Sequence, residues 1–149
     1  MIPMKNQIDC GKISVSNHLE TMLGWPAEQI YAKLPKQPSW WPWCDFWDSP
    51  SRHFAMIEEL TGQSAGLVPC DPLLVPSVVL LRLSWTAWHW VTVAAVGHNT
   101  FIWHDGHEMT NQTFQERFPG CKVILAYALG GVVPLPWYWR LWGRVTSWL

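Results

Sequence analysis

A cysteine at position 10 stands directly before a run whose spacing predicts a helix, and His89 and Asp105 fall on two later segments with strand character. A thiol is a nucleophile only as thiolate, and a helix N-terminus or a nearby imidazolium favours that form. An imidazole can take the thiol proton and return it, and a carboxylate can hold the imidazole in one tautomer. Cys10, His89 and Asp105 thus offer the nucleophile, the general base and acid, and the orienting group of a thiol-dependent acyl transfer. Around the cysteine the chain reads Asn6-Gln7-Ile8-Asp9-Cys10-Gly11. Gly11 would let a substrate approach the backbone closely, and the Cys10 N–H would be one donor to an oxyanion. The side-chain amide of Gln7 or Asn6 is the candidate for the other donor. The competing reading is a small buried thiol, the commoner fate of a lone cysteine.

The elements that must position these residues are legible in outline. Ile13, Val15, Leu19, Met22 and Leu23 recur roughly at helical spacing, and Gly24 closes the segment as a C-cap. Pro26 suits the first position of a second short helix running to Leu34. Residues 35–50 are dense in Pro and Trp and read as a loop with aromatic anchors. Ser49 and Pro50 then open a third helix, with Phe54, Ile57 and Leu60 facing inward and Gly62 ending it. The second half changes character: Ser77–Ser84, His89–Val96, Thr100–Asp105 and Lys122–Leu129 are strand-like, with a short helix predicted near Asn111–Phe118. Helices first and an antiparallel sheet second make an α+β layout.

Strands present alternate residues to one face, so His89, Val91 and Val93 share a face. If Gly97, His98 and Asn99 form a three-residue hairpin turn, Val96 pairs with Thr100 and Val91 with Asp105. Asp105 then lies diagonally from His89 on the same face, about 7–8 Å away. A two-residue turn would send the carboxylate to the other face.

The chain has 149 residues and a net charge of −1, with no long run of either sign. One domain of ordinary size fits that length, and the charge argues against nucleic acid as a partner, since phosphate binding needs clustered Lys and Arg. Four cysteines (Cys10, Cys44, Cys70 and Cys121) could pair in three ways. The polar start, Met1–Asp9, does not read as a signal peptide. Reduced thiols and a cytoplasmic location are therefore expected. Thirteen Trp fall in clusters, chiefly core and lining residues by type. Trp88 and Trp90, flanking His89, are candidates for a substrate groove.

The domain is expected to span residues 1–130, with 131–149 as an amphipathic tail. There Tyr138, Leu141, Trp142, Val145, Trp148 and Leu149 share one helical face, opposite Arg140, Arg144 and Ser147. Packing on the domain or on another copy of it, a possible homodimer, is the expected role. Contact with a membrane surface is the weaker alternative, because only two basic residues support it.

Asp-Cys-Gly leading into a helix resembles the nucleophile segment of papain-like cysteine peptidases, especially the bacteriocin-processing (double-glycine leader) peptidases. His89-Trp90-Val91-Thr92-Val93 and Trp103-His104-Asp105-Gly106, with sixteen residues from His to Asp, are similar to that family's histidine and aspartate motifs. The likeness runs from Gln7 to about Leu129. It implies a papain-like fold, N-terminal helices packed on a C-terminal antiparallel sheet, and a Cys10-His89-Asp105 triad that cleaves a peptide or isopeptide bond without a cofactor. The family's oxyanion Gln stands six residues before the Cys, where this chain has Met4. Lys12 and Ile13 replace the small residues that follow the family's glycine.

A metal site on His104, Asp105 and His107 lacks the tight ligand spacing of zinc sites and is set aside. Two readings then differ from peptide hydrolysis. One is a binding module on the same scaffold, an inhibitor or adaptor acting through a Trp-rich surface. The other is acyl transfer to an amine in place of water.

Overall fold

In the computed structural model the first helix, α1 (Cys10–Leu23), is buried on every side from Cys10 to Leu19. The structure describes residues 2, 10–35, 49–69, 73–82, 88–94, 100–102, 108–110, 116, 119–120 and 122–141. A helix with one apolar stripe would keep its polar face in water, yet Lys12, Ser14, Ser16, Asn17 and His18 are all enclosed. Local and tertiary partners make this possible. The Ser16 hydroxyl donates to the Lys12 carbonyl at 2.8 Å, and the Lys12 ammonium lies 4.0 Å from the centre of the Tyr31 ring. Asn17 exchanges two hydrogen bonds with the backbone of Ile2, at 2.7 and 3.1 Å. The Leu129 N–H donates to His18 Nε2 at 2.9 Å.

Gly24, at φ 74°, ends α1 as its spacing predicts. Pro26 stands at the N-cap of α2 (Ala27–Lys33), one position earlier than expected. The Glu20 carboxylate accepts the Ala27 N–H at 2.7 Å, so the last turn of α1 caps the next helix. In α3 (Pro50–Thr61), Pro50 opens the helix and Gly62, at φ 70°, closes it. Ser49 holds the N-cap position, but its hydroxyl bonds to that of Ser51 at 2.8 Å and makes no cap bond. Ile57 is fully buried, with Phe54 and Leu60 packed against the core beside it.

Four antiparallel strands, β1 (Ala65–Leu67), β2 (Ser77–Arg82), β3 (Trp88–Val93) and β6 (Lys122–Leu129), form one sheet in the order β1-β6-β2-β3. The pairs Leu80↔Trp90, Leu80↔Leu125 and Val78↔Tyr127 fix the face that meets the helices. These residues form one core with Cys10, Val15, Leu19, Ile30 and Ile57. The α+β layout is thus present. Its sheet is divided differently from the expectation, however. β4 (Thr100–Ile102) pairs with β5 (Glu108–Thr110) in a separate two-stranded sheet, and among the described residues β3 pairs only with β2. Thr100, expected to pair with Val96, pairs with Thr110 among the described residues. The predicted Val96–Thr100 and Val91–Asp105 register falls on residues 95–99 and 103–107, outside those described. The helix predicted at Asn111–Phe118 is described only at Glu116, which is helical.

After β6, residues 131–139 stay on the domain. Val133 bridges Leu67, whose N–H donates to the Val133 carbonyl at 2.7 Å. Gly66 and Gly131 meet backbone to backbone: a Cβ on Gly66 would fall 2.0 Å from the Gly131 oxygen, and one on Gly131 2.1 Å from the Gly66 oxygen. Leu135 is buried, and residues 137–141 are helical. In that helical segment Trp139 turns toward the core and meets the Trp88 ring edge-on at 6.3 Å. Tyr138 and Leu141, expected on the apolar face of the tail, are about half exposed. No helix among the described residues is long and apolar enough to cross a membrane.

Candidate active site

Cys10 is the first residue of α1, a buried thiol whose place at the helix start sets it in the positive end of the helix dipole. α1 packs more closely on β3 than on any other strand. Ser14 of α1 meets β3 directly. Thr92 of β3 locks it by donating its hydroxyl hydrogen to the Ser14 carbonyl at 3.0 Å. The helix that begins with the thiol is therefore fixed against the strand that holds His89.

His89 is buried and pairs across the sheet with Leu81. Burial disfavours its charged form and lowers its pKa from 6.5 to about 4. At neutral pH the ring is uncharged and can accept a proton. Its face follows from strand alternation. Trp90 and Thr92 point to the helices, where Trp90 stacks on His53 of α3 at 4.3 Å and Thr92 bonds to α1. His89 therefore lies on the opposite face, with Val91 and Val93. A thiol on the helical side reaches that face only around the outer edge of β3.

Of the remaining candidates, Asp105, Gln7 and Asn6 lie outside the described residues. Trp88 is about half exposed, as a groove residue would be, whereas Trp90 is 1% exposed. Trp90 is a core residue, and its expected place in an open groove is corrected: even numbering along β3 turns it inward with Leu80. Gly11 is buried with the first turn of α1. Lys12, which takes the position of a small residue in the peptidase motif, stacks on Tyr31 of α2. Among the described residues no three His, Cys, Asp or Glu gather as metal ligands, and His104, Asp105 and His107 lie outside them.

A second polar group was not anticipated. His53 Nδ1 and the Tyr127 hydroxyl share a hydrogen bond of 2.6 Å in the core, and the Tyr127 phenol is held well above its ordinary pKa by complete burial. The His18 ring lies edge-on to Tyr127 at 6.3 Å. Because His18 Nε2 accepts the Leu129 N–H, its proton resides on Nδ1, which is buried without a hydrogen-bond partner among the described residues. Spacing carried part of this signal: His53 precedes Ile57 by four residues and His18 follows Val15 by three, placing both on inward faces. Comparison with family models, with curated proteins and with solved structures returns no match for this chain.

Proposed function

We propose that the chain is a papain-like thiol hydrolase acting on a peptide or isopeptide bond, with Cys10 as nucleophile, His89 as base and acid, and Asp105 as the orienting carboxylate. What supports it is the order of Cys10, His89 and Asp105 along the chain, together with the close packing of the helix opened by Cys10 on the strand that carries a buried, neutral His89. Because His89 lies on the far face of that strand, the proton transfer requires its ring to meet the thiol around the outer edge of β3. In this reaction His89 takes the thiol proton as the sulfur attacks the substrate carbonyl carbon. The tetrahedral oxyanion is held by the Cys10 N–H and by the amide of Gln7 or Asn6. The C–N bond breaks as His89 gives its proton to the leaving amine. Water then attacks the thioester, His89 accepts a proton from it and returns one to the sulfur, and the acid product leaves. No cofactor takes part.

The test is alkylation by an iodoacetamide-type or epoxide probe, with the modified residue identified by peptide mapping. Cys10 is expected to react fastest of the four cysteines, and Cys10→Ala to abolish the fast phase. His89→Ala is expected to slow labelling at Cys10 and to reduce peptide hydrolysis about 100-fold or more, as loss of a general base does. Fast labelling that persists in Cys10→Ala sinks the assignment.

A second reading, a binding module on the same scaffold, is favoured by the burial of both residues: Cys10 is 5% and His89 4% exposed. A biological activity retained in Cys10→Ala, together with a slow thiol of ordinary pKa near 8.5, would select this reading over hydrolysis.

A further inference from the structure

The segment that follows β6 turns apolar side chains outward over a short stretch. Val132 is 91% exposed, Trp137 68%, Tyr138 54% and Leu141 52%. Monomeric soluble proteins rarely leave such residues contiguous and uncovered. The aromatic members are joined into a row: Trp137 meets Tyr138 at 5.9 Å, Tyr138 meets Trp139 at 6.1 Å, and Trp139 meets the half-exposed Trp88.

The row ends on a basic strip. Trp88 is the register partner of Arg82, and Arg82 is the partner of Lys122, so the three side chains share one face across the end of the sheet. Arg82 and Lys122 are exposed, and Arg140 is exposed on the helical segment itself. Glu58 lines the groove that α3 forms with Val132, Pro134 and Arg140. Cations on both flanks of an aromatic row, with acyl-sized apolar side chains between, match the headgroup and upper acyl layers of an anionic bilayer. Trp and Tyr rings suit that boundary because one edge is polar and the body is apolar.

We propose that the surface formed by Trp88, residues 132–141 and the Arg82–Lys122 strip docks the protein on an anionic membrane surface, lying in the interface without crossing it. The proposal is independent of any chemistry at Cys10.

The experiment is flotation of the full chain with vesicles of phosphatidylcholine alone and of phosphatidylcholine with phosphatidylserine at 3:1. Binding to the mixed vesicles is expected to exceed binding to the neutral ones at least tenfold, and to fall several-fold in 0.5 M salt, which screens surface charge. Trp137→Ser/Tyr138→Ser/Leu141→Ser is expected to weaken it at least tenfold, and Arg82→Glu/Lys122→Glu/Arg140→Glu to remove the preference for the anionic lipid. These side chains are exposed, so far-ultraviolet circular dichroism and the urea midpoint are expected to match the native chain. The lipid and salt comparisons on the native chain decide the matter if a variant does not fold. No flotation with the mixed vesicles, or flotation indifferent to lipid charge, overturns the proposal. So does a dimer in sedimentation equilibrium that the aromatic variant dissociates, since a second copy would then cover this face.

Discussion

His89 carries the sharpest prediction at the scale of a single side chain. Burial holds its pKa at about 4, below the 6.5 of an exposed histidine. If it is the base that activates Cys10, the rate of Cys10 alkylation should stay level from neutral pH into mildly acidic solution. It should fall only near pH 4, as the ring takes up a proton. A rate that falls through pH 6.5 would assign the titration to a different, solvated group. Trp90 offers a second test. Its ring fills the space between His53 and Tyr127, so Trp90→Ala should cost about 3–5 kcal/mol in urea denaturation. A residue lining a groove would instead alter substrate affinity and leave stability almost unchanged. Tyr127→Phe removes the partner of His53 Nδ1 and should cost about 1–3 kcal/mol, the usual penalty for stranding a buried polar atom.

At the scale of elements, a close backbone contact outside the ladders joins β1 to the chain beyond β6. Gly131→Ala would drive a Cβ to within 2.1 Å of the Gly66 oxygen, so the two backbones must part. A loss of about 1–3 kcal/mol is expected, as for other overpacked sites, visible as a lower Tm in thermal unfolding. Much of the element layout was legible because local signals mark it: Gly24 and Gly62 stop their helices, Pro50 starts one, and β6 fills the apolar run at Lys122–Leu129. What escaped was tertiary. β1, β4 and β5 have three residues each, too few to show a period. The polar side of α1 is enclosed because Ile2, Leu129 and Thr92 supply partners far away in sequence. For the candidate site, spacing located Cys10 and His89 on neighbouring elements. Alternation grouped His89 with Val91 and Val93, but it could not say which face of β3 would receive α1. That depends on which side chains pack best, a property of the assembled core.

For the molecule as a whole, two buried neutral histidines set an acid limit. His18 and His89 both titrate at about 4 in the folded chain, each lowered by burial, against 6.5 when unfolded. Between those values the unfolded chain binds protons that the folded chain refuses, so stability is full above pH 6.5 and declines as pH falls toward 4. At about 1.4 kcal/mol per pH unit the loss approaches about 3 kcal/mol for each histidine. His18→Gln should flatten the pH dependence of the urea midpoint between pH 6.5 and 4, provided the variant folds; a slope equal to that of the native chain would remove His18 from this account. The meeting of Gly66 and Gly131 has a further consequence at this scale. The outer edge of a sheet is a template on which another chain can add a strand. Beyond β1, the chain's own backbone occupies part of that template, through the Val133 bridge and the glycine pair. A chain cut after residue 130 would bare the β1 edge and is expected to self-associate, seen as rising light scattering and thioflavin fluorescence. Two residues with no side chains thereby let the chain's own backbone lie over part of an edge that would otherwise be open to a second chain.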